Sequence, residues 1–514
     1  MEMLGSLIEN AAEVWSWLMA HLIYINLILS VIIVFFQRRD PKAVWTWLLA
    51  LYFVPVFGFL FYLIFCQDYH KSKMFRVKEV EDRLNISIKN QEEFIRKHDL
   101  TLSDSLNRDF AEMVLYNLET SGAVLTVNNQ VEIFTDGEKK FEDLRQEMRR
   151  ARYFIHIQYY IIKNDELFDS IIPILLEKVK EGVEVRILYD GMGGRFMPEK
   201  CWKMLESAGI KTGVFFPAFL GRLQLRVNYR NHRKIVVIDG KIGYVGGFNI
   251  GKEYISKDPK FGYWRDTHLK ILGDAAISLQ IRFALDWNYA TGENLFTNVN
   301  YFGLFDTLDD DEKKQIEVKE EFEEGWETDD WEPVGIQIVS SGPDTGSRQI
   351  RNNYLELFHK AKKHIYIQTP YFVPDDAVLS ALKIAAQSGV DVCLMIPCKP
   401  DHPFVYWATY SYAGELVAAG ARCYIYENGF LHAKGVCIDG RACCYGTANM
   451  DIRSFELNFE VNAVVYDEKT TLRMEKDFEE DLNRCRKLTK EIYDTRSLWM
   501  RVKEQCSRLL SPLL

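Results

Sequence analysis

This sequence of 514 residues has no excess of basic side chains: 63 Lys and Arg stand against 73 Asp and Glu, for a formal net charge of −10. A nucleic-acid partner draws on a basic surface, so none is expected. Most of the excess acid falls in residues 306–332, and the remainder is roughly neutral. A paired cysteine pattern is also missing. The ten cysteines are scattered at Cys66, Cys201, Cys393, Cys398, Cys423, Cys437, Cys443, Cys444, Cys485 and Cys506. That spread suits neither a disulfide framework nor paired zinc knuckles and predicts reduced thiols in a core. No basic stretch precedes the first apolar segment, which argues against a cleaved signal peptide. A hydrophobic content of 48% and a charged content of 26% argue against disorder. The length allows two or three domains.

What is present begins with two long apolar runs, LMAHLIYINLILSVIIVFF (18–36) and AVWTWLLALYFVPVFGFLFYLIF (43–65). Each is long enough to cross a hydrocarbon core as a helix, so residues 1–69 are expected to form a two-helix transmembrane hairpin. Trp15, Trp17, Trp45 and Trp47 stand at the segment starts, where interfacial anchors belong. Arg38, Arg39 and Lys42 lie in the turn, and Lys71, Lys73, Arg76 and Lys78 lie beyond the hairpin. This balance barely sets an orientation, and the free cysteines place the large domain on the cytoplasmic side. Residues 70–105 read as a juxtamembrane linker and 106–121 as an amphipathic helix.

The remainder is a duplication. The run from Ala151 (ARYFIHIQYYIIKNDELFDSIIPILLEKVKEGVEVRILYDG) overlays the run from Ala361 (AKKHIYIQTPYFVPDDAVLSALKIAAQSGVDVCLMIPCK). Both read as strand, loop, amphipathic helix, glycine (Gly182 or Gly389) and strand, which predicts an α/β fold with largely parallel sheets. Gln158 and Gln368 hold matching places in apolar strands, as structural hydrogen-bond donors or as site contacts. The two halves are drawn at 106–272 and 336–514, with an acidic surface insertion at 273–335. Residues 469–510 read as amphipathic helices, packed on the second half or lying on a lipid interface.

Each half carries one motif, within 226–253 and 426–453. The first is His232-x-Lys234-x4-Asp239-x6-Gly246-x2-Asn249, and the second is His432-x-Lys434-x4-Asp439-x6-Gly446-x2-Asn449. Five fixed positions match by chance at about one site in several million, and here they match twice in equivalent places. Side chains at i and i+2 of a strand share a face, so each His points with its Lys. Asp239 and Asp439 have the opposite parity, stand at Asp-Gly turns and are expected to brace the hairpin or a neighbouring charge rather than touch substrate directly. Each glycine admits close backbone approach, and each Asn offers an amide donor for substrate. If the halves pack about a pseudo-twofold axis, two imidazoles, two ammoniums and two carboxamides converge on one phosphodiester. One His then attacks phosphorus while the other acts as acid and base. A nucleophilic imidazole needs a fixed tautomer, and the downstream acids Asp266 and Glu460 are candidates for that orienting role, or else surface acids. No His/Asp cluster suggests a di-metal site, so neither a metal nor another cofactor is expected.

These residues are the signature of the phospholipase D superfamily. The apolar hairpin, GGFNIG, WRDTH, GTANMDIRSFELNFE and the terminal SPLL resemble the bacterial cardiolipin synthases over nearly the whole chain. The resemblance implies duplicated phospholipase D-like domains in a pseudo-twofold arrangement. It also implies a membrane phosphatidyltransferase that converts two phosphatidylglycerol molecules into cardiolipin and glycerol through a phosphatidyl-histidine, with His232 as nucleophile and His432 as acid/base. Gly247 and Thr447 stand where the family often has Ser after the motif glycine. A nuclease of the superfamily would need a basic groove, whereas a lipid hydrolase differs only in how far water is excluded.

Overall fold

The computed structural model describes residues 2–35, 41–65, 104–217, 229–302, 333–345 and 347–509. The expectations for Arg38, Arg39, Cys66, most of the 70–105 linker, the acidic run 306–332 and the terminal SPLL fall outside these residues. The described chain forms a small N-terminal helical unit and a large unit built from residues 104–217 and 230–509.

The N-terminal unit contains helices Glu2–Phe35, Pro41–Phe53 and Pro55–Phe65. The second expected segment is therefore broken in two. Pro55 has no N–H, so the Leu51 carbonyl loses its helical donor, and the Asn26 amide donates to that oxygen at 2.9 Å. Ile33, Trp47, Leu51 and Tyr62 close a small core. Counted over the residues whose side chains are described, no helix is long and apolar enough to cross a membrane. The outside of the unit is nevertheless apolar: Ile23 is 73% exposed, Phe35 76% and Phe53 80%.

The large unit holds two lobes of like plan. In the first, strands Phe154–Tyr159, Glu184–Asp190 and Lys211–Phe215 run parallel. On the other flank of Phe154–Tyr159 come the antiparallel strands Ile235–Ile238, Ile242–Gly246, Trp264–Gly273 and Asn129–Asp136. The second lobe repeats this with parallel strands His364–Gln368, Asp391–Pro397 and Arg422–Tyr426. Its antiparallel flank is Gly435–Ile438, Ala442–Gly446, Asn458–Tyr466 and Gly335–Ser341. Each sheet is thus mixed rather than largely parallel. Within each lobe's main sheet the strand-helix-strand crossovers yield parallel pairs, and the Asp-Gly hairpins impose antiparallel ones.

Two boundaries differ from those drawn on the sequence. Helix Asp104–Ser121 precedes the first lobe but buries Phe110, Met113, Val114 and Leu118 in the core of the second. The two-residue strand Leu125–Thr126 accompanies it, pairing with Gly335–Ser341. Helix Ala275–Thr291, assigned above to the insertion, is a core helix of the first lobe, with Leu279, Phe283 and Trp287 buried.

Candidate active site

The two hairpins are built first. Asp239 and Asp439 occupy their tips in the left-handed region, with φ of 53° and 55°, each followed by a glycine at 69°. Asp tolerates this region better than most residues with a Cβ. The Asp239 carboxylate accepts from the backbone N–H groups of Arg152, Tyr153 and Phe154 at 2.8–2.9 Å. Asp439 does the same for Lys362, Lys363 and His364 at 2.7–2.8 Å. Each aspartate therefore ties its hairpin to the start of the neighbouring parallel strand.

The histidines do not lie on the hairpin strands themselves. Just before each one, the chain leaves its own lobe and pairs with the other. Arg230–Asn231 pairs in parallel with strand Asn458–Tyr466, and Phe430–Leu431 pairs with strand Trp264–Gly273. The backbone N–H of His232 continues the first exchange to Phe459 O at 2.9 Å, and that of His432 continues the second to Arg265 O at 2.7 Å. Each histidine is thus held beside the residue that follows its backbone partner, namely Glu460 or Asp266. His232 Nδ1 lies 2.9 and 3.0 Å from the two Glu460 oxygens. His432 Nδ1 lies 2.6 Å from Asp266 Oδ2. The orienting acids are candidates named on the sequence, but each serves the histidine of the opposite lobe.

Fixing Nδ1 against a carboxylate selects the tautomer that leaves Nε2 for chemistry. Burial lowers the pKa of both rings. For His432 the Lys434 charge adds to burial, against Asp266, and brings it to about 4; for His232 burial is joined by Lys234 and opposed by Glu460. Burial likewise lowers the lysines, to about 7 for Lys234 and about 8 for Lys434. Lys234 Nζ donates to His232 O at 2.6 Å, and Lys434 Nζ donates to His432 O and lies 2.8 Å from His432 Nδ1. Burial raises the two orienting carboxyls, but the histidine and lysine charges outweigh it and both stay below the ordinary range. The aromatic walls differ. Tyr160 packs edge-on to His232 at 5.1 Å, and Trp264 lies 5.0 Å from His432.

Four polar residues not singled out on the sequence, with Gln158 and Gln368, hold this frame. Arg233, between His232 and Lys234, forms a bidentate pair with buried Asp286 and also donates from Nε to Glu460 O. Gln158 Nε2 donates to the same Asp286 at 2.6 Å. Arg265 of the first lobe pairs with buried Asp481 of the second, to which Gln368 Nε2 also donates at 3.0 Å. Both glutamines are thus structural donors. Arg233 and Arg265 sit inside quoted motifs and offered a signal; Asp286 and Asp481 sit on helices with no motif.

The two asparagines have different surroundings. Asn249 accepts from Ile161 N and donates to Tyr254 OH, which occupies its oxygen and one of its two amide N–H groups. Asn449 is buried and its Oδ1 has no hydrogen-bond partner. The residues after the motif glycines differ for a steric reason. Thr447 Oγ1 donates to Glu460 Oε2 at 2.6 Å, whereas a Cβ on Gly247 would overlap the Asp266 carboxylate. One imidazole, neutral with Nε2 free, can attack a phosphodiester held by the two buried ammoniums, and the other, when it carries a proton on Nε2, can protonate the leaving group.

Residues 144–259 and 354–482 match the family described as cardiolipin synthase, PLD-like domain, and residues 25–65 match that described as phospholipase D-nuclease N-terminal. The chain is 45% identical over 495 residues to the major cardiolipin synthase of Bacillus subtilis, covering 95% of this chain and 97% of that one. It is 43% identical over 493 residues to a cardiolipin synthase of Oceanobacillus iheyensis, with the same coverage of 95% and 97%. The solved phosphatidylserine synthase of Haemophilus influenzae shares the fold, with a TM-score of 0.58 at 16% identity over 80% of this chain and 100% of that one.

Proposed function

The chain belongs to the cardiolipin synthase family of phospholipase D-like phosphatidyltransferases, and from that premise we propose that it joins two phosphatidylglycerol molecules into cardiolipin and glycerol. The observation that carries the chemistry is the crossed pair of His–carboxylate contacts with a buried lysine beside each. One imidazole attacks phosphorus, and the bond to the glycerol oxygen breaks as the other histidine protonates that oxygen. The second histidine, now neutral, takes the proton of an incoming phosphatidylglycerol hydroxyl. That oxygen attacks phosphorus, and the P–N bond breaks to regenerate the first histidine. Lys234 and Lys434 neutralise the non-bridging oxygens, with Asn449 as the amide contact. Asp239, Asp439, Asp266 and Glu460 act through their neighbours.

A membrane setting follows from where apolar surface lies. The N-terminal helices are placed in the bilayer as a hairpin, since their exposed face carries Ile23, Leu27, Ile28 and Phe35. The large unit has an apolar ridge of its own. Helix Leu498–Leu509 turns Glu504 and Ser507 inward, with Glu504 held by Arg496, and leaves Leu498, Trp499, Val502 and Leu509 exposed. Residues 484–509 carry eight basic and three acidic side chains in a chain that is acidic as a whole. An apolar ridge in basic surroundings suits an anionic lipid surface. The described cysteines are all unpaired, which supports a cytoplasmic position for this unit.

The test is incubation of the purified full chain with phosphatidylglycerol vesicles, with cardiolipin and glycerol read by mass spectrometry. Equal yields of the two are expected, with loss in His232→Ala and His432→Ala. Phosphatidic acid as the main product would sink the transferase reading, and full activity in either variant would sink the two-histidine mechanism.

A further inference from the structure

Ile235 and Gly435, next after the motif lysines, pair with Gln158 and Gln368 at the carboxyl ends of the first parallel strand of each lobe. The site therefore lies at that end of both sheets, and the connections that leave the second parallel strands border it. In the first lobe the short helical turn Gly193–Phe196 follows strand Glu184–Asp190. A Cβ on Gly193 would overlap the backbone carbonyl of Tyr160, whose ring packs on His232. In the second lobe strand Asp391–Pro397 leads through Asp401 into helix Pro403–Ala418. Asp401 accepts from the Tyr371 hydroxyl, and the next residue, Phe372, pairs with Met450, which directly follows the motif Asn449. Each connection is thus tied through its neighbours to a motif residue.

Each connection also carries an exposed phenylalanine. Phe196 is 45% exposed and Phe404 is 55% exposed, six residues after Asp190 and seven after Pro397. Cations stand over the first ring: Arg195 at 4.9 Å and Lys163 at 5.4 Å, with Lys163 also paired to Glu253. The second ring is continuous with the apolar ridge of helix Leu498–Leu509. Trp407 lies three residues after Phe404 on the same helix face, and Lys503 bridges it, at 4.9 Å, to Trp499, at 5.8 Å. The nearby acids are engaged locally, Asp401 by Tyr371 and the His402 N–H and Glu199 by Lys203. Aromatic rings with cations beside them suit the acyl boundary of an anionic bilayer, where the ring enters and the charge stays among the phosphates.

Resting on the reading of the reaction given above, we infer that Phe196 and Phe404 form a lipid-embedded rim around the mouth of the active site. The mouth is seated on an anionic bilayer, and phosphatidylglycerol passes the two rings to reach the histidines without crossing water. A protein covering both rings would close the mouth to two-tailed substrates, whereas a bilayer covers the rings and supplies those substrates. A mouth sealed on hydrocarbon also keeps water from the phosphatidyl-histidine, which favours transfer over hydrolysis.

The test uses the full chain reconstituted in phosphatidylcholine vesicles. Phosphatidylglycerol is given either as long-chain lipid in the same bilayer or as dihexanoyl lipid dissolved in the water below its micelle concentration. Cardiolipin formation from each is read by mass spectrometry. In the double variant Phe196→Ser, Phe404→Ser the ratio of the bilayer rate to the dissolved-lipid rate is expected to fall at least about tenfold. Leu at both positions keeps an apolar rim and should restore most of that ratio. An unchanged ratio, whether both rates fall together or neither falls, would overturn the rim. Loss of self-association in the Ser variant, measured by cross-linking, would also overturn it by assigning the rings to a second copy. A wild-type chain that makes no cardiolipin from either lipid would instead overturn the underlying reading of the function.

Discussion

Glu460, in the second lobe, lies 2.9 Å from Nδ1 of His232, in the first. The reverse contact runs from Asp266 to His432 at 2.6 Å. Neither half therefore holds the Nδ1 of its own motif histidine against a carboxylate of its own. Substituting the acid in one lobe is expected to produce the defect of the histidine in the other. Glu460→Gln should act like a weakened His232, and Asp266→Asn like a weakened His432, each lowering kcat on the order of 10²- to 10⁴-fold. Rapid-quench trapping of the phosphatidyl-enzyme reads this out. The histidine variant that fails to form the adduct identifies the nucleophile, and the acid variant that slows adduct formation should be the one in the opposite lobe. If each acid variant instead resembled the histidine of its own lobe, the crossed assignment would be wrong.

The buried lysines set an expectation for pH. The form that neutralises a phosphodiester is the protonated one, and it is lost as pH rises through a pKa that burial has brought to about 7 for Lys234 and about 8 for Lys434. The nucleophile must be neutral, and burial holds His232, the histidine to which the resemblance gives that role, below the ordinary imidazole range. The profile of kcat/KM, which reports the free enzyme, is expected to fall above pH 7 to 8 and to hold on the acid side to below the ordinary imidazole range. A bound anion holds both lysines charged, so the alkaline limb of kcat should move upward relative to that of kcat/KM. An alkaline limb of kcat/KM in the ordinary lysine range would show that these ammoniums are not desolvated before substrate binds.

Much of this site is legible in the sequence because its spacing is local. His232, Lys234, Asp239, Gly246 and Asn249 fall on and immediately around one hairpin, and their counterparts repeat the pattern at the same offsets. What spacing cannot carry is a contact between chain segments. His232 and Glu460 are 228 residues apart, and their meeting depends on the exchange of Arg230–Asn231 onto the opposite sheet. Asp286 was hidden for a similar reason. It is one acid on a helix next to an acidic stretch, and its function exists only through Arg233 and Gln158. For the amphipathic run 106–121, within helix Asp104–Ser121, periodicity gives the apolar face and not the sheet that it covers. The asparagines share one motif position and differ only in whether neighbours, Ile161 and Tyr254 for Asn249, take up the amide.

The hairpin aspartates are expected to matter to stability and little to chemistry. Each carboxylate accepts three backbone N–H bonds, and its residue occupies a left-handed conformation. Asp239→Ala or Asp439→Ala should cost about 2–4 kcal/mol, from lost charge-assisted hydrogen bonds and the conformational preference of alanine. Asn keeps an acceptor and tolerates the conformation, so Asp→Asn should cost less. Chemical denaturation measures the stability, and kcat is read below the unfolding transition. A kcat reduced a hundredfold in a fully folded Asp239→Asn protein would place this carboxylate in the chemistry after all.

Gly247 and Thr447 occupy equivalent positions, yet exchanging their roles should be asymmetric in its consequences. In the second lobe the hydroxyl of Thr447 donates to Glu460 Oε2, so it steers the acid that fixes His232. Thr447→Val keeps the volume and removes that donor, leaving a buried carboxylate oxygen short of a partner, at a cost of about 1–3 kcal/mol. In the first lobe no side chain fits. Asp266 reaches one atom less far along its chain than Glu460, so its carboxylate comes against the backbone of Gly247, where any Cβ would overlap it. Gly247→Ala must therefore push Asp266 away from His432, and Gly247→Thr does not restore the missing hydroxyl but worsens the clash. Both are expected to lower kcat at least about tenfold by misplacing His432, with an overpacking cost of about 1–3 kcal/mol. The compensating change is in the acid and not in the glycine. Asp266→Asn should add little further loss in the Gly247→Ala background, because the contact that it weakens is already broken. Fully multiplicative losses in that double variant would mean that Gly247 acts on something other than Asp266.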